Sequence, residues 1–450
     1  MSRSARHAIA VLAVLAAGSL TAGCSGSGLS MPSMPKIGDL NPFAKPEEKL
    51  PGTRIAIITE EDTESGEETT ASLGAVVVPG MVSNAEWSQP GGTASNSPGH
   101  LSLEGGLKTV WTGDAGHGSN SHGKLTATPI VHRGRIYTLD TGAQISAFSA
   151  AGGGRAWAVS LVPEGEDAEE GYGGGLAAED GRLFAATGYG QLVALDASGG
   201  AKLWEKALGA PARTSPTVSD GRVFITTIEG KLYCLSAQDG AELWSFRGVP
   251  QSTGIINNVS PAVSGDTVIV PYSSGDVIAV KASTGEAIWT DSLGITRSHS
   301  SFARLNDTGR PVADNGTVFV VGHAGRMIAT SERTGERLWS INLGGLQTPW
   351  VAGDSVFVTD VNGRLVALER DSGSKRWAVK LPGDSRWNGP VLAGGRLWLV
   401  SEAGEIVGVD PQSGKVVASR SLGEKVEIAP IVAENRMFVL TDSARLVALN

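Results

Sequence analysis

The chain has 450 residues, a formal net charge of −9, 61 glycines and only 18% charged residues. This balance fits a turn-dense all-β protein with a large core. Acidity without a basic stripe argues against nucleic acid as a partner, and two cysteines, Cys24 and Cys234, cannot build a disulfide framework.

Residues 1–23 read as a targeting segment, a lipoprotein signal peptide. Arg3 and Arg6 supply positive charge, and the apolar run 8–17 is too short to span a bilayer comfortably. Leu20-Thr-Ala-Gly-Cys24 resembles a bacterial lipobox, in which small residues precede a cysteine that is cleaved and acylated. The resemblance implies lipidation of Cys24, palmitate included; a plain secreted protein with a chance cysteine is the alternative. Ser25 follows, and by resemblance to enterobacterial sorting a residue other than Asp implies the outer membrane, at its periplasmic face. Residues 24–52, rich in Ser, Gly, Pro and Lys, read as a flexible tether. Residues 53–106 form an N-terminal extension. Within it 53–59 can add a strand, and 60–70 is acidic and exposed. Residues 85–100 carry a lone Trp87 among turn formers, with no period that assigns them to an element.

From Pro129 onward one distance recurs. Pro129 to Trp157 is 28 residues, as are Pro216 to Trp244, Pro261 to Trp289, Pro311 to Trp339 and Pro349 to Trp377. A Gly falls 24 after each anchor (Gly153, Gly240, Gly285, Gly335, Gly373) and a small residue falls 18 after it (Ala147, Cys234, Ala279, Ala329, Ala367). Weaker copies start at Leu176, with Gly200 and Trp204, and at Pro390, with Gly408, Gly414 and Ala418 in the Trp position. Self-similarity at this period marks a propeller or solenoid. Each unit reads as four short strands between glycine turns; in the third unit these are 216–219, 222–227, 231–235 and 242–246. Four-stranded units in this number predict a β-propeller, and the repeating Trp reads as packing between neighbouring blades.

The last unit begins at Pro430 and lacks its Gly and Trp segment, because the chain ends at Asn450. The orphan segment Leu107-Lys-Thr-Val-Trp111 supplies the missing piece. An open ring would leave unpaired strand edges. The expected fold is therefore all-β, an eight-bladed propeller over 107–450 whose last blade is shared by N- and C-terminal strands.

Candidate chemistry is sparse. His117 and His122 sit in the Gly-Ser loop 116–123, and loop histidines without nearby Cys or carboxylate make a poor zinc site. His299 and His323 are isolated, and Cys234 takes the small, buried position of its blade and reads as core. The Gly-rich stretch 171–175 precedes a strand and not a helix, which argues against phosphate cradling, and no nucleophile elbow or Walker loop occurs.

Loop length is more informative. The step from Trp to the next anchor is 10 residues at Trp339, 12 at Trp204 and 13 at Trp377, but 17 at Trp244, 19 at Trp157 and 22 at Trp289. All these connections run from an outer to an inner strand and so open on one face. The long neighbours around 250–260 and 291–310 flank the fourth blade. Their content suits a modest protein interface: Ile255, Ile256 and Asn257 in the first, Arg304, Leu305, Asn306 and Asp307 in the second. The alternative is that Ile255 and Ile256 fold under their own loop. The acidic run 164–170 reads as a solvated tip.

Two family resemblances complete the reading. Segments such as Thr284-Gly-Glu-Ala-Ile-Trp289 resemble quinoprotein dehydrogenases. Those enzymes imply a quinone, a calcium ion, a carboxylate base and an adjacent cysteine pair in the central funnel. This chain has no adjacent cysteines and no evident calcium cluster, so no cofactor, metal or catalytic residue is expected. The lipobox, tether and eight repeats together resemble the BamB family, lipoproteins of the β-barrel assembly machinery. Leu50-Pro-Gly-Thr-Arg54, Trp87-Ser-Gln-Pro-Gly-Gly92, Ser301-Phe-Ala-Arg-Leu-Asn-Asp307 and Thr348-Pro-Trp-Val-Ala-Gly353 are similar to alphaproteobacterial members. The resemblance implies a non-enzymatic scaffold that binds the periplasmic domains of the barrel-inserting subunit through 252–258 and 304–307, with Asp307 at the family's acidic position. Nascent outer-membrane proteins pairing with a blade edge are a further partner class. A quinone-dependent periplasmic dehydrogenase and an envelope polymer-binding propeller are the competing functions.

Overall fold

The computed structural model describes residues 74–168, 170–212, 214–248, 259–294 and 308–450. Residues 1–73, with Cys24, the tether and the possible strand at 53–59, lie outside the described residues. Among those described there are thirty-two strands and no helix, arranged as eight four-stranded antiparallel sheets. Seven sheets are simple meanders in chain order, spanning 130–160, 174–207, 217–247, 262–292, 312–342, 350–380 and 387–421 (blades 1 to 7). In blade 3 the strands are Thr217–Ser219, Arg222–Thr226, Lys231–Ser236 and Glu242–Arg247, within one residue of the sequence expectation at every boundary.

Blade 8 closes the ring. Its three inner strands are Ile431–Ala433, Arg436–Leu440 and Arg445–Leu449, and its outer strand is Thr109–Asp114 from the other end of the chain. Trp111 stands opposite Ala448, in the same register as Trp244 opposite Cys234 in blade 3.

The burial pattern follows from the architecture. Each blade is covered on both faces by its neighbours, so a middle strand such as Lys231–Ser236 has four consecutive buried residues, Leu232 to Leu235. The outer strand Glu242–Arg247 meets solvent and alternates instead. One transverse row recurs: an aromatic on the second strand (Ile269 in blade 4), a small residue on the third, a Trp on the fourth. Phe224, Cys234 and Trp244 form it in blade 3. The small residue leaves room for the two rings to meet, with centroids 6.0 Å apart in blade 3 and 5.8 Å apart for Tyr137 and Trp157 in blade 1.

Each Trp also holds the next blade. The Trp157 indole donates to Ala197 O at 3.2 Å, Trp204 to Ala237 O at 3.2 Å, Trp244 to Ala282 O at 2.9 Å and Trp339 to Arg370 O at 2.8 Å. The same rings lie over Gly200, Gly240, Gly285 and Gly373, whose φ values of 71–77° favour glycine. The recurrent Trp and Gly of the sequence are the two halves of one contact between blades.

Blade 7 departs from the row. Trp398, Gly408 and Ala418 stand where the others place aromatic, small and Trp. The indole has moved two strands inward, and the middle residue has shrunk to glycine beneath it.

Candidate functional site

The residues singled out for partner binding, Ile255, Ile256, Asn257, Arg304, Leu305, Asn306 and Asp307, lie outside the described residues. So do His299 and Cys24. The described chain on either side fixes where both segments leave and rejoin the ring. The first leaves the outer strand Glu242–Arg247, where Gly248 N donates to Gly230 O at 3.0 Å, and rejoins at the inner strand Ala262–Ser264. The second leaves Ala287–Ser292, where buried Leu293 donates its N–H to Gly275 O at 2.9 Å. It rejoins at Gly309, whose N–H donates to Val321 O at 2.9 Å. Both therefore flank blade 4 on the face where outer strands hand over to inner ones.

The opposite face holds a feature that sequence periodicity did not reveal. Residues 84–101 form a strap that touches the inner strands of all eight blades in ring order. Asn84 O accepts from Glu434 N of blade 8 at 2.7 Å; Trp87 exchanges two backbone hydrogen bonds with Val131 of blade 1, each 2.8 Å. Ser88 O accepts from Ala178 N of blade 2 at 2.9 Å, and the Gln89 amide makes a two-point contact with Val218 of blade 3, at 2.8 and 3.2 Å. Ala94 O takes Val263 N of blade 4 at 2.7 Å, and Ser95 O takes Ala313 N of blade 5 at 2.9 Å. Gly99 O accepts the Trp350 indole of blade 6 at 3.0 Å, and Leu101 O accepts Gly394 N of blade 7 at 2.9 Å. The inner strands are three residues long in six blades and present unpaired backbone groups toward the axis, so the strap satisfies donors that a buried channel would otherwise orphan.

Two histidines lock the strap by the same device. His132 Nε2 accepts from Gly181 N at 3.1 Å, so its Nδ1 carries the proton and donates to Glu86 Oε2 at 2.8 Å. His100 Nε2 accepts from Gly395 N at 3.0 Å and its Nδ1 donates to Pro79 O at 2.7 Å.

Above the strap lies an axial cavity of about 600 Å³, open toward the hand-over face. Trp87, Pro90, Gly91 and Asn96 form its floor, and blades 1 and 5 to 8 supply its walls. Arg310 reaches from blade 5 toward Thr128 Oγ1 of blade 1, the blade opposite in a ring of eight, at 3.4 Å. Burial alone pushes its guanidinium down to about 10. At the mouth Arg386 meets Glu402 at 3.2 Å and Glu427 at 3.5 Å. The Arg386 hydrogen bond holds Glu402 below the usual carboxylate range, whereas burial pushes Glu427 above it.

The remaining candidates separate cleanly. Cys234 is fully buried and its thiol is pushed up to about 12 by burial, which removes it as a nucleophile. The reading of His117 as a loop residue without a nearby carboxylate is corrected: its Nδ1 lies 3.1 Å from Asp140 Oδ2, and its backbone N–H donates to the same oxygen at 2.8 Å. Asp140 is distant in sequence and arrives through the turn between the second and third strands of blade 1. The described part of the acidic run 164–170 is exposed, and the strand expected after the Gly-rich stretch begins at Gly174. Among the described residues no group of three His, Cys, Asp or Glu side chains could hold a metal ion.

Every outer strand carries a bulge at the residue before the Trp position, as at Val110, Leu203, Leu243 and Val417. Bulges kink a strand and interrupt the regular edge that a further strand would need.

The family model described as outer membrane protein assembly factor BamB matches residues 141–379 and 361–450. Among solved structures, BamB from Moraxella catarrhalis superposes with a TM-score of 0.66 at 20% identity, covering 76% of this chain and 99% of that one. The quinohemoprotein alcohol dehydrogenase from Comamonas testosteroni reaches 0.65 at 13% identity, covering 81% and 80%. The computationally designed Ika8 protein reaches 0.59 at 13% identity, covering 76% and 99%. At these identities the likeness is one of fold. No curated protein matches the chain in sequence.

Proposed function

This chain belongs to the outer membrane protein assembly factor BamB family, and from that premise we propose that it is a non-enzymatic scaffold of outer-membrane β-barrel assembly. It binds the periplasmic domains of the barrel-inserting subunit, and Cys24 anchors it by lipid to the periplasmic face of the outer membrane. The observation that carries this reading is the family match over blades 1 to 8 together with the two long hand-over segments that flank blade 4. Long insertions on a rigid ring are where binding residues usually sit. Ile255, Ile256, Asn257, Arg304, Leu305, Asn306 and Asp307 are the proposed contacts. The bulged outer strands leave little regular edge for nascent barrel strands, so docking on the hand-over face is favoured over strand addition.

Co-purification from envelopes tests the interface. The unaltered chain should recover the barrel-inserting subunit, and Asp307→Arg should reduce that recovery at unchanged protein level; equal recovery removes this segment from the interface. Cys24→Ser should lose palmitate labelling and leave the membrane fraction. The dehydrogenase reading predicts dye reduction after addition of quinone and calcium, and turnover there would displace the scaffold reading. Retention on peptidoglycan would favour the polymer-binding alternative.

A further inference from the structure

Three residues lining the axial cavity hold a buried polar atom with no hydrogen-bond partner among the described residues: Arg310 Nε, His323 Nδ1 and Trp387 Nε1. Native structures rarely leave such atoms orphaned, and each invites a ligand or ordered water. Arg310 is the extreme case. Among the described residues its one hydrogen bond is a long contact to a neutral hydroxyl, and no described carboxylate pairs with it. A desolvated guanidinium without a counter-charge is costly, so buried cations are normally paired.

The other cavity groups do not supply that pair. Asp360 lines the cavity but is committed elsewhere: Oδ1 accepts from Asn362 N and Arg364 N at 2.9 and 2.8 Å, and Oδ2 accepts from Arg364 Nε at 2.7 Å. Glu427 faces Arg386 at the mouth. Lys380 adds a further cation whose ammonium donates only to a backbone carbonyl, Asn362 O at 2.7 Å. Asp384 is a third carboxylate on the lining and is exposed. Part of the lining is apolar: Trp87 and Trp350 lie in a stacked arrangement with centroids 6.3 Å apart. The volume, about 600 Å³, falls in the range of small-molecule sites.

We propose that the axial cavity binds a small organic carboxylate, its oxygens on the Arg310 guanidinium and its apolar body against the Trp87–Trp350 wall. A planar guanidinium matches a carboxylate in two parallel hydrogen bonds, which makes this ligand class the best counterpart for the orphaned charge. Carboxylate binding is read on the chain alone, with no partner present, so the proposal stands or falls independently of the scaffold reading.

Calorimetric titration of the full chain, with tryptophan fluorescence as a second readout, tests the proposal. The probes are acetate, benzoate, citrate and sulfate, with benzamide as the uncharged counterpart of benzoate. Benzoate or citrate should bind and change the fluorescence, and benzamide should bind about tenfold more weakly or worse. Arg310→Met should lower carboxylate affinity by about tenfold or more, and Arg310→Lys should fall between, because it keeps the charge and loses the fork. If Arg310→Met does not fold, Trp387→Phe, which keeps the ring and removes the donor, must weaken benzoate binding. The proposal fails if none of the four anions binds at millimolar concentration, which would mark a channel satisfied by water alone. It also fails if sulfate binds as tightly as the carboxylates, if benzamide equals benzoate, or if Arg310→Met keeps full affinity.

Discussion

Trp111 occupies the space that a side chain at Gly153 would need: a Cβ built there lies 2.5 Å from Trp111 Cδ2. The indole also donates to Ala150 O at 3.1 Å. Trp111 belongs to the strand that completes blade 8, and Gly153 to blade 1. The contact that joins the first and last blades is therefore the same one that the fourth-strand Trp of blades 1 to 6 makes with the next blade.

Gly153→Ala is expected to destabilise the protein by about 3 kcal/mol, combining a positive φ of 74° with overpacking against the indole. Gly152 is the control, because nothing lies within 4 Å of a Cβ there. Gly152→Ala should be near neutral in the same denaturant titration, and equal losses at both positions would contradict the contact.

The displaced indole of blade 7 makes a reciprocal prediction. A Cβ at Gly408 would lie 2.8 Å from Trp398 Cζ3, and Gly408 does not have a positive φ. Gly408→Ala should cost about 1–3 kcal/mol through overpacking alone. Adding Trp398→Phe recreates the Phe and Ala positions of other rows and should recover part of that loss. Simple additivity of the two changes in a double-mutant cycle would show that they do not share this space.

Gln89 ties the strap to Val218 through both amide atoms and is 4% exposed. Gln89→Ala should cost about 2–3 kcal/mol, because it leaves a buried N–H and C=O unpaired. It should also speed hydrogen exchange at the Val218 amide. Gln89→Glu should be at least as harmful at neutral pH and should recover in acid, since burial raises the new carboxyl and only its protonated form can donate to Val218 O.

Arg386 favours the ionised form of both its carboxylate neighbours, yet Glu402 ends below and Glu427 above the ordinary value. Glu402 is held below its usual 4.5 by the Arg386 hydrogen bond, so its stabilisation is complete above 4.5 and is lost as pH falls through its lower folded value. Glu427 is raised by burial and by the Glu402 charge, so its contribution is complete below 4.5 and is lost as pH rises through its higher folded value. Carbon-13 titration of the side-chain carboxyls should find Glu402 ionising first and Glu427 later. Arg386→Gln should raise both, and a reversed order would refute the assignment.

The blade count, the ring closure through Trp111 and the role of the Trp were all legible because a blade is a local object. Its four strands are consecutive, its turns need glycine at fixed intervals, and its transverse row returns every 10 residues, as from Phe224 to Cys234 to Trp244. The proposed partner residues were singled out by loop length and content, and they lie outside the described residues. His117 was misread because its carboxylate, Asp140, is 23 residues away and is delivered by a turn.

The sequence by itself therefore determined what repeats: the number of sheets, their register and the pairing of the two chain ends. Only the tertiary structure decided what lies on the axis. The strap 84–101 has no hydrophobic period, because its backbone serves the inner edges of eight blades in turn; of its side chains, Trp87 and Leu101 pack into the core. Arg310 looks like any loop cation until the ring closes and leaves it at the centre, facing Thr128 of the opposite blade with no counter-charge among the described residues. Burial and orphaned charge belong to the assembled ring, since they depend on residues far apart in the chain, such as Arg310 and Thr128 at 182 positions and Trp350 and Gly99 at 251.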